Sequence, residues 1–413
     1  MTEKWQPETF IYQPEISLTK SWGGRARKLW GEKLGRFSEM ASENSAIIFS
    51  EIGMGIPGIE IPGGGLIVHK DGSNLPNIGR LMESHGLKTL PQVIFIVASA
   101  LHGEHINAVA GLARELKENG VQVVVPLLTS MAHERQDHKF TDTKTGQHMN
   151  QVTTLKEAVE TLARYCDGVF VVQPHSHRGV ELGLRLNFPI LPIEGLGLLL
   201  NRSGYQGIQN LIELGPDFGR QDEARKAAVF FNCPLLSVEK VRDRIHGGKP
   251  TIIWPQGARE WIRDNGCTVV TTDDELRDAG TMDAIADGLE GYTRDVRIIA
   301  VKAIMSDEVR PRMIIRNGQL VRVEPRDEWA ATSSVEKLNK PKIREILITD
   351  AVQPLADLTP IAEKVRIVSL KPEIEAIVGY LRHNWIPLSE SWLRDPHQTG
   401  TLLSLDLAVE KHK

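Results

Sequence analysis

The sequence is poor in cysteine and lacks any long hydrophobic run. Its three cysteines, Cys166, Cys233 and Cys267, are isolated, and none has the Cys-x-x-Cys spacing of a zinc site or a redox motif. This argues against a disulfide framework and favours a reducing compartment. No apolar run approaches the roughly 18 residues of a membrane span, and the N-terminal stretch MTEKWQPETF has no apolar signal core. We therefore expect a cytoplasmic protein without an export signal or a membrane partner.

An excess of charge of either sign is also missing. The formal net charge is −4, so bulk electrostatics give no reason to expect a nucleic-acid partner. Apolar residues make up 41% and charged residues 25% of the chain, which is ordinary for a soluble globular protein. A length of 413 residues is enough for two domains, each with its own core.

What the sequence does contain, from residue 92 onward, is a regular alternation of strand and helix patterns. QVIFIVASA, VQVVVPLL and GVFVVQP are apolar runs typical of buried strands. Between them, GEHINAVAGLARELKENG and TTLKEAVETLARY have helical periodicity. In the first helix Asn119-Gly120 provides a stop, and its predicted apolar face consists of Ile106, Val109, Leu112, Ala113 and Leu116. The alternation predicts a mostly parallel sheet flanked by helices.

The second half of the chain repeats this alternation. The predicted strands are NLIELGP, PLLSV, PTIIW, CTVVTT, VRIIAVKAI, REILITD and KVRIVSL, and the predicted helices are RQDEARKAAVFF, TMDAIADGLEGY and PEIEAIVGYLRHN. We therefore predict an α/β protein of two tandem lobes, residues 67–205 and 206–413, with an insertion at about 308–340. Residues 1–66, which contain Trp5, Trp22, Trp30 and the basic stretch KSWGGRARK, are interpreted as an extension or an oligomer arm.

Polar clusters follow the predicted strands, and they have two interpretations. HERQDHK (133–139) comes after VQVVVPLL, and similar clusters come after GVFVVQP, NLIELG, PLLSV and CTVVTT. One such cluster is an ordinary solvated loop, but the carboxyl ends of parallel strands meet at one edge, where open α/β sheets bind ligands. The mixture of acids, histidines and cations suits a phosphate-rich substrate with bound Mg²⁺. Zinc is disfavoured because His175 and His177 have no third ligand at a recognisable spacing.

Six motifs occur in a fixed order within residues 68–384, together with HKDGSN near the start: HERQDHK, QPHSH, GPDFGRQDEAR, SVEKVRDR, TTDDELRDAGTM and EKLNKPKIREILITDAVQP. Their order and spacing resemble the ribose-phosphate diphosphokinases (phosphoribosyl diphosphate synthases), which have a type I phosphoribosyltransferase-like fold. The residues that match the family motifs are Arg135, Gln136, Asp137 and Lys139, His175, Pro216, Asp217, Gly219, Ala224 and Arg225, Lys240 and Arg242, Asp273 and Asp274, and Thr349, Asp350 and Pro354.

The resemblance implies that a diphosphoryl group moves from Mg²⁺-ATP to the anomeric hydroxyl of a ribosyl phosphate, most simply ribose 5-phosphate, releasing AMP. The implied catalytic residues are Lys240, Arg242 and His175, and the implied metal ligands are His175 and Asp217. ATP contacts are expected from Arg135, Gln136, Asp137 and Asp71, and contacts to ribose or its phosphate from Asp217, Asp273, Asp274, Arg277, Gly280 and Thr281. The family assembles its ATP site partly from a neighbouring subunit, which implies a homo-oligomer.

The residues also depart from the family pattern. Ser73 stands where the family has glutamate, and in the ribose-phosphate loop Arg277, Asp278 and Ala279 replace Asp, Thr and Gly. The carboxylate of Asp278 beside a 5-phosphate is unfavourable without a screening cation. Either Arg277 supplies this cation, or the acceptor has a different 5-substituent, as ADP-ribose does. A non-catalytic regulatory relative is the other alternative. For single residues, the alternatives are a surface hairpin for Lys240 and Arg242, a buried hydrogen-bonded His175, and a helix-capping Asp217.

Overall fold

The computed structural model describes residues 18–49, 66–68, 74–132, 154–216, 221–241, 249–305, 312–316, 319–323 and 332–383. The described residues form two compact units, each of which is an α/β lobe. One unit lies within Pro14–Gly195 together with Ser369–Glu410, and the other within Leu196–Val368. We refer to them as the N-terminal and the C-terminal unit.

The N-terminal unit is built on a parallel sheet. Its described elements are α1 (Leu18–Leu34), α2 (Ser38–Glu43), β1 (Ser45–Phe49), β2 (Leu66–Val68), β3 (Asn74–Pro76), α3 (Ile78–Ser84), β4 (Val93–Ala100), α4 (Gly103–Glu118), β5 (Val123–Met131), α5 (Thr154–Tyr165), β6 (Val169–Val172), α6 (Arg178–Arg185) and β7 (Ile190–Ile193). Five strands pair in the order β1-β4-β5-β6-β7, all parallel. β2 and β3 form a separate antiparallel pair.

Helix α4 shows how the sequence pattern produces a packed element. All five residues of its predicted apolar face are buried. The helix ends at Asn119, after which Gly120 adopts a φ of 94°, a left-handed conformation that glycine reaches without strain. The chain then turns into β5, every residue of which is buried, so the parallel sheet is covered on both faces.

The segment interpreted as an extension or arm contributes to this unit. β1 pairs in parallel with β4, from Ser45 opposite Val93 to Phe49 opposite Val97. Trp30 of α1 is fully buried, with its ring centroid 5.0 Å from that of Phe170 in β6. An indole of this size contributes more to stability inside a core than in a detached arm, because it removes a large apolar area from water.

The C-terminal unit is built on a second, larger parallel sheet. Its described elements are α7 (Gly195–Ser203), β8 (Leu211–Gly215), α8 (Gln221–Phe231), β9 (Leu235–Ser237), β10 (Glu239–Val241), β11 (Thr251–Ile253), α9 (Ala258–Asp264), β12 (Thr268–Leu276), α10 (Gly280–Gly288), β13 (Val296–Ala303), β14 (Arg312–Arg316), β15 (Gln319–Val323), α11 (Ser334–Leu338), β16 (Ile343–Thr349) and β17 (Val365–Val368). Six strands pair in the order β17-β16-β13-β12-β8-β9, all parallel.

The two faces of this sheet pack against different helices. On one face the core includes Ile262 of α9, Ile285 of α10 and Leu338 of α11. On the other face Ala224 and Ala228 of α8 pack with Leu235 of β9. The predicted α/β class with two helix-flanked parallel sheets is therefore confirmed. Among the described helices, none combines the length and the apolar character that crossing a membrane requires.

Two predicted elements occupy unexpected places. PTIIW was predicted as one more strand of the alternation, but its strand β11 pairs antiparallel with β10 in a two-stranded hairpin outside the main sheet. The helix predicted in PEIEAIVGYLRHN forms as α12 (Lys371–His383), but it packs against α2 in the N-terminal unit. Local periodicity identifies an apolar face, and it carries no information about which surface covers that face.

Candidate active site

The carboxyl edge of the six-stranded sheet gathers polar side chains from three neighbouring strands. Near its end β12 carries the acids Asp273, Asp274 and Glu275. Lys302 is the residue before the last of β13, and Thr349 is the last residue of β16. The strand register places Asp273 beside Ala300 and Glu275 beside Lys302. The Thr349 hydroxyl donates to the Val301 carbonyl at 2.5 Å, and Asp350 beyond it is buried. Because adjacent strands lie about 4.8 Å apart, these residues come together at the carboxyl edge of the sheet, where open α/β sheets bind ligands.

The acid pair Asp273–Asp274 belongs to the strand itself. The pair was predicted to follow the strand CTVVTT, but β12 continues to Leu276 because its ladder with β13 continues to Ala303. The backbone N–H of Asp274 donates to Asp273 Oδ1 at 2.9 Å, and Asp274 is buried. Both acids therefore have the backbone geometry of a strand, which limits their freedom before any ligand binds.

Arg277 pairs with the last acid of β12. Its Nε donates to Glu275 Oε1 at 2.8 Å, and the Glu275 side chain is buried while that of Arg277 is half exposed. A carboxylate removed from water needs a cation more than an exposed one does. Arg277 thus neutralises the end of β12.

The start of α10 follows directly, and Asp278 and Ala279 shape it. Ala279 adopts φ 52° and ψ 10°, in the left-handed region, at the position where the resembling family has glycine. Asp278 Oδ1 accepts a hydrogen bond from the backbone N–H of Gly280 at 3.1 Å. Thr281 is buried within the first turn. The carboxylate of Asp278 thus places a negative charge at the N-terminus of α10, where the helix dipole is positive.

The strained backbone of Ala279 gives a stability prediction. Left-handed backbone costs an L-residue about 1–2 kcal/mol, and glycine loses about 0.5–1 kcal/mol more in conformational entropy on folding than alanine. We therefore expect Ala279→Gly to raise the free energy of unfolding by about 0.5–1 kcal/mol in urea denaturation. Ala284→Gly, in the interior of the same helix, should lower it by about 1 kcal/mol. Destabilisation by both changes would contradict the strain at Ala279.

Lys302 is a candidate site residue that the sequence interpretation missed. It lies on β13 with no exposed surface, beside Glu275 of β12. Lysine is almost never fully buried without a partner, so its position at the carboxyl end of a central strand is informative. The signal was present in VRIIAVKAI, where one lysine interrupts an otherwise apolar strand.

Lys240 lies on β10, the first strand of the hairpin that follows β9, with its backbone opposite Ile252 of β11. Its predicted partner Arg242 lies outside the described residues, and the described chain resumes at Lys249. Lys249 Nζ lies 2.9 Å from Asp283 Oδ2 and also contacts Asp287. Lys340 contacts the same two acids. We call Lys249, Lys340, Asp283 and Asp287 the α10 ion cluster; it holds the residues just before β11 and just before β16 against helix α10.

In the N-terminal unit, His175 lies where the chain leaves β6. The backbone N–H of Gln173 donates to the Ile193 carbonyl at 2.7 Å, and Gln173 has a left-handed φ of 42°. The chain then turns outward through the half-buried His175 to α6. His175 thus lies at the carboxyl end of its strand, as predicted. The predicted ATP residues Arg135, Gln136, Asp137 and Asp71, and Asp217 of the C-terminal unit, lie outside the described residues.

Among the described residues, no group of three His, Cys, Asp or Glu side chains is placed to hold a metal ion. Magnesium in nucleotide sites commonly takes only one or two carboxylates from the protein, and phosphate and water oxygens complete its shell. The carboxylate of Asp217 is a ligand of the type that binds Mg²⁺ directly. The imidazole nitrogen of His175 is a softer ligand, which suits a hydrogen bond to a Mg²⁺-bound water.

Glu213 is a fully buried acid on β8, the strand between β12 and the edge strand β9 of the C-terminal sheet. Its Oε1 accepts hydrogen bonds from the backbone N–H of Thr272 at 3.1 Å and from the Thr272 hydroxyl at 2.8 Å. Oε2 forms no hydrogen bond with any residue that the structure describes. Burial raises the pKa of Glu213 well above its ordinary 4.5, against the opposing effect of the two bonds from Thr272. The side chain therefore stays protonated at a pH where it would ionise in the unfolded chain.

This shift predicts a pH dependence of stability. Above the unfolded pKa of 4.5 the unfolded chain releases a proton that the folded chain keeps. Stability is therefore lost as pH rises from the unfolded pKa towards the raised one, by up to about 1.4 kcal/mol per pH unit. Glu213→Gln should flatten this part of the profile in urea denaturation from about pH 5 to about pH 8. Glu118→Gln, at an exposed position of α4, should leave the slope unchanged. A wild-type slope in Glu213→Gln would contradict the protonated state.

Comparisons with known proteins support the fold alone. No family model matches the chain, and no curated protein matches it either. A crystal structure of phosphoribosylpyrophosphate synthetase from Mycobacterium smegmatis superposes with a TM-score of 0.60 at 14% identity, covering 83% of this chain and 100% of that one. The chain therefore shares the fold of that structure.

Two further structures are similar over a smaller part. A purine phosphoribosyltransferase from Pyrococcus horikoshii has 19% identity and a TM-score of 0.21, covering 26% of this chain and 71% of its own. A hypoxanthine phosphoribosyltransferase from Staphylococcus aureus has 16% identity and a TM-score of 0.20, covering 26% of this chain and 63% of its own. At these scores neither similarity bears on the fold.

Proposed function

We propose that the protein is a transferase that moves a diphosphoryl group from ATP to the anomeric hydroxyl of a ribosyl phosphate. The hydroxyl oxygen attacks the β-phosphorus of ATP, the bond from that phosphorus to the oxygen bridging it to the α-phosphorus breaks, and AMP leaves while the hydroxyl loses its proton. The observation that carries the proposal is the acid pair Asp273–Asp274, held near the end of β12, which a short turn joins to the N-terminus of α10. The shared fold and the ordered motifs support it.

The proposed roles follow from the chemistry of each side chain. Asp273 and Asp274 accept hydrogen bonds from the ribose hydroxyls, because two carboxylates fixed in a strand can each receive one. Lys240 and Arg242 stabilise charge that develops on the transferring group. Arg135, Gln136, Asp137 and Asp71 hold ATP, as the resemblance implies.

Magnesium is proposed as the cofactor, as the resemblance implies: His175 binds one Mg²⁺ or orients its water, and Asp217 is a ligand of a second Mg²⁺ or holds the ribose hydroxyls. When bound, Mg²⁺ neutralises phosphate charge that the protein's cations leave uncompensated. A homo-oligomer is also proposed, because the resembling family completes its ATP site with a neighbouring subunit.

The charge of Asp278 bears on which ribosyl acceptor the protein binds. Its carboxylate already accepts from the N–H of Gly280, the first residue of α10. A 5-phosphate bound there would meet a like charge, and two unit charges about 4 Å apart repel by roughly 4 kcal/mol at an effective dielectric constant of about 20. This observation favours a second candidate, ADP-ribose, which presents the same anomeric hydroxyl without a terminal 5-phosphomonoester.

AMP release from Mg²⁺-ATP, measured with ribose 5-phosphate, other pentose phosphates and ADP-ribose, tests the proposed function. Formation of AMP together with a diphosphorylated sugar supports it and identifies the acceptor. If the wild-type protein binds nucleotide but releases no AMP with any acceptor, the transferase proposal is wrong and the non-catalytic alternative is favoured.

The carboxylate of Asp278 should decide between the acceptors. We expect Asp278→Asn, which keeps an oxygen acceptor for Gly280, to lower the KM of ribose 5-phosphate about tenfold or more, because a repulsion of more than about 1.4 kcal/mol is removed. The KM of ADP-ribose should fall by a smaller factor, because the phosphate on its ribose carries about one negative charge and the 5-phosphomonoester carries nearly two. Steady-state kinetics with both acceptors provide the measurement, and equal changes for the two would contradict the assignment.

A further inference from the structure

Glu213 lies at the place where two strands of the C-terminal sheet stop pairing. The parallel ladder between β8 and β12 ends with Leu214 opposite Thr271. On its other side β12 remains paired with β13, through Thr272 opposite Ile299 and Asp273 opposite Ala300. Thr272 is thus the first residue of β12 beyond the ladder with β8. The side chain of Glu213 accepts from both of its donors, the backbone N–H and the hydroxyl.

This place is also the topological switch point of the sheet. In the order β17-β16-β13-β12-β8-β9, the chain leaves β8 towards β9 on one side and leaves β12 towards β13 on the other. Open α/β sheets bind ligands in the crevice outside the carboxyl ends of the two strands that flank such a reversal. The contact between Glu213 and Thr272 lies at the base of that crevice, and Asp273 and Asp274 follow it directly.

We infer that Glu213 is a positioning residue that holds the end of β12, through Thr272, so that the acid pair Asp273–Asp274 is presented to the ribosyl acceptor. The role of the acid pair rests on the proposed function, and the position of β12 rests on the hydrogen bonds. Glu213 itself does not touch substrate: its side chain is fully buried, on the face covered by α8. Gly215, two residues further on the same face, is close enough to α8 that an added Cβ would lie 3.4 Å from Ala224 Cβ.

The surroundings of Glu213 keep it neutral. The described residues packed on this face include the apolar Ala224, Ala228 and Leu235, together with the Cys233 thiol. Burial raises the pKa of that thiol, so it is also uncharged at neutral pH. A protonated carboxyl still accepts hydrogen bonds through its carbonyl oxygen. It therefore fixes Thr272 without placing a third negative charge beneath Asp273 and Asp274.

Two substitutions separate positioning from simple packing. Glu213→Gln keeps the shape, the neutrality and the acceptor oxygen, whereas Glu213→Leu keeps an apolar volume and removes the acceptor. We expect the leucine variant to raise the KM of the ribosyl acceptor about tenfold or more, because small displacements of a positioning group have large kinetic effects. Its KM for ATP should stay near the wild-type value. The glutamine variant should restore the acceptor KM to within about twofold, as a conservative variant does when position alone matters.

Amide hydrogen exchange provides a readout that does not depend on activity. Protection of the Thr272 amide should fall in the leucine variant and persist in the glutamine variant. If the leucine variant does not fold, Thr272→Val, which removes only the hydroxyl bond, is expected to raise the acceptor KM several-fold. The inference is overturned if Glu213→Leu keeps both the wild-type KM for the ribosyl acceptor and the wild-type protection of the Thr272 amide. The proposed function would then remain intact. If the wild type forms no AMP, the proposed function fails, and exchange at Thr272 alone then supports or overturns the positioning role.

Discussion

The Lys240→Ala, Arg242→Ala variant is expected to bind Mg²⁺-ATP with nearly wild-type affinity and to release AMP about a hundred to a thousand times more slowly. The two cations are proposed to act where charge redistributes on the transferring diphosphoryl group. Interactions that strengthen only in the transition state appear in turnover and not in ground-state binding. Loss of one preorganised charge donor typically costs about 2.7–4 kcal/mol in the barrier, which corresponds to that range.

The structure makes this test interpretable for Lys240. The residue lies on a two-stranded hairpin outside the six-stranded sheet, so its truncation leaves the main core intact. Calorimetry with Mg²⁺-ATP and single-turnover AMP release measure binding and chemistry separately. Lys156→Ala provides a surface-charge control, since Lys156 is an exposed lysine of α5 that pairs with Glu160 four residues away. Normal turnover by the double variant would mean that Lys240 and Arg242 are surface charges of a hairpin.

The fold could be predicted from the sequence because its parallel strands are buried on both faces. Such strands appear as apolar runs, and the helices between them show a helical apolar face, as in α4. β1 was not predicted, since SAIIF is a short apolar run that lies outside the regular alternation of strands and helices from residue 92 onward. The partner of α12 was not predicted either, because a helix that packs against a distant part of the chain leaves no local signal.

Parts of the candidate site were accessible from the sequence and others were not. Polar clusters at strand ends identified the region of Asp273, Asp274 and Lys240, because strand direction determines where such ends meet. The pairing of Arg277 with Glu275 depends on which carboxylate is buried, and a motif does not contain that information. Glu213 was hidden for a related reason: a single acid in NLIELG acquires meaning only when the strand beside it brings Thr272 within hydrogen-bonding distance.

The second large effect is expected in stability, at the α10 ion cluster. Asp283 and Asp287 lie one turn apart on α10 and contact the same two lysines, Lys249 and Lys340. They differ in burial: 4% of the Asp283 side chain is exposed and 48% of the Asp287 side chain. Breaking a buried ion pair typically costs about 3–5 kcal/mol because a charge stays behind without its partner, whereas exposed pairs contribute about 0–1 kcal/mol.

Asp283→Ala should therefore lower the free energy of unfolding by about 2–4 kcal/mol, below the full buried-pair range because both lysines keep some contact with water. Asp287→Ala, with the same lysines and the same helix, should lower it by less than about 1 kcal/mol. Calorimetric unfolding of the two variants beside the wild type measures both values. Adding salt should reduce the small effect of Asp287 more than the large effect of Asp283, since screening acts mainly on exposed charges. Equal losses for the two aspartates would show that burial does not determine the strength of this cluster.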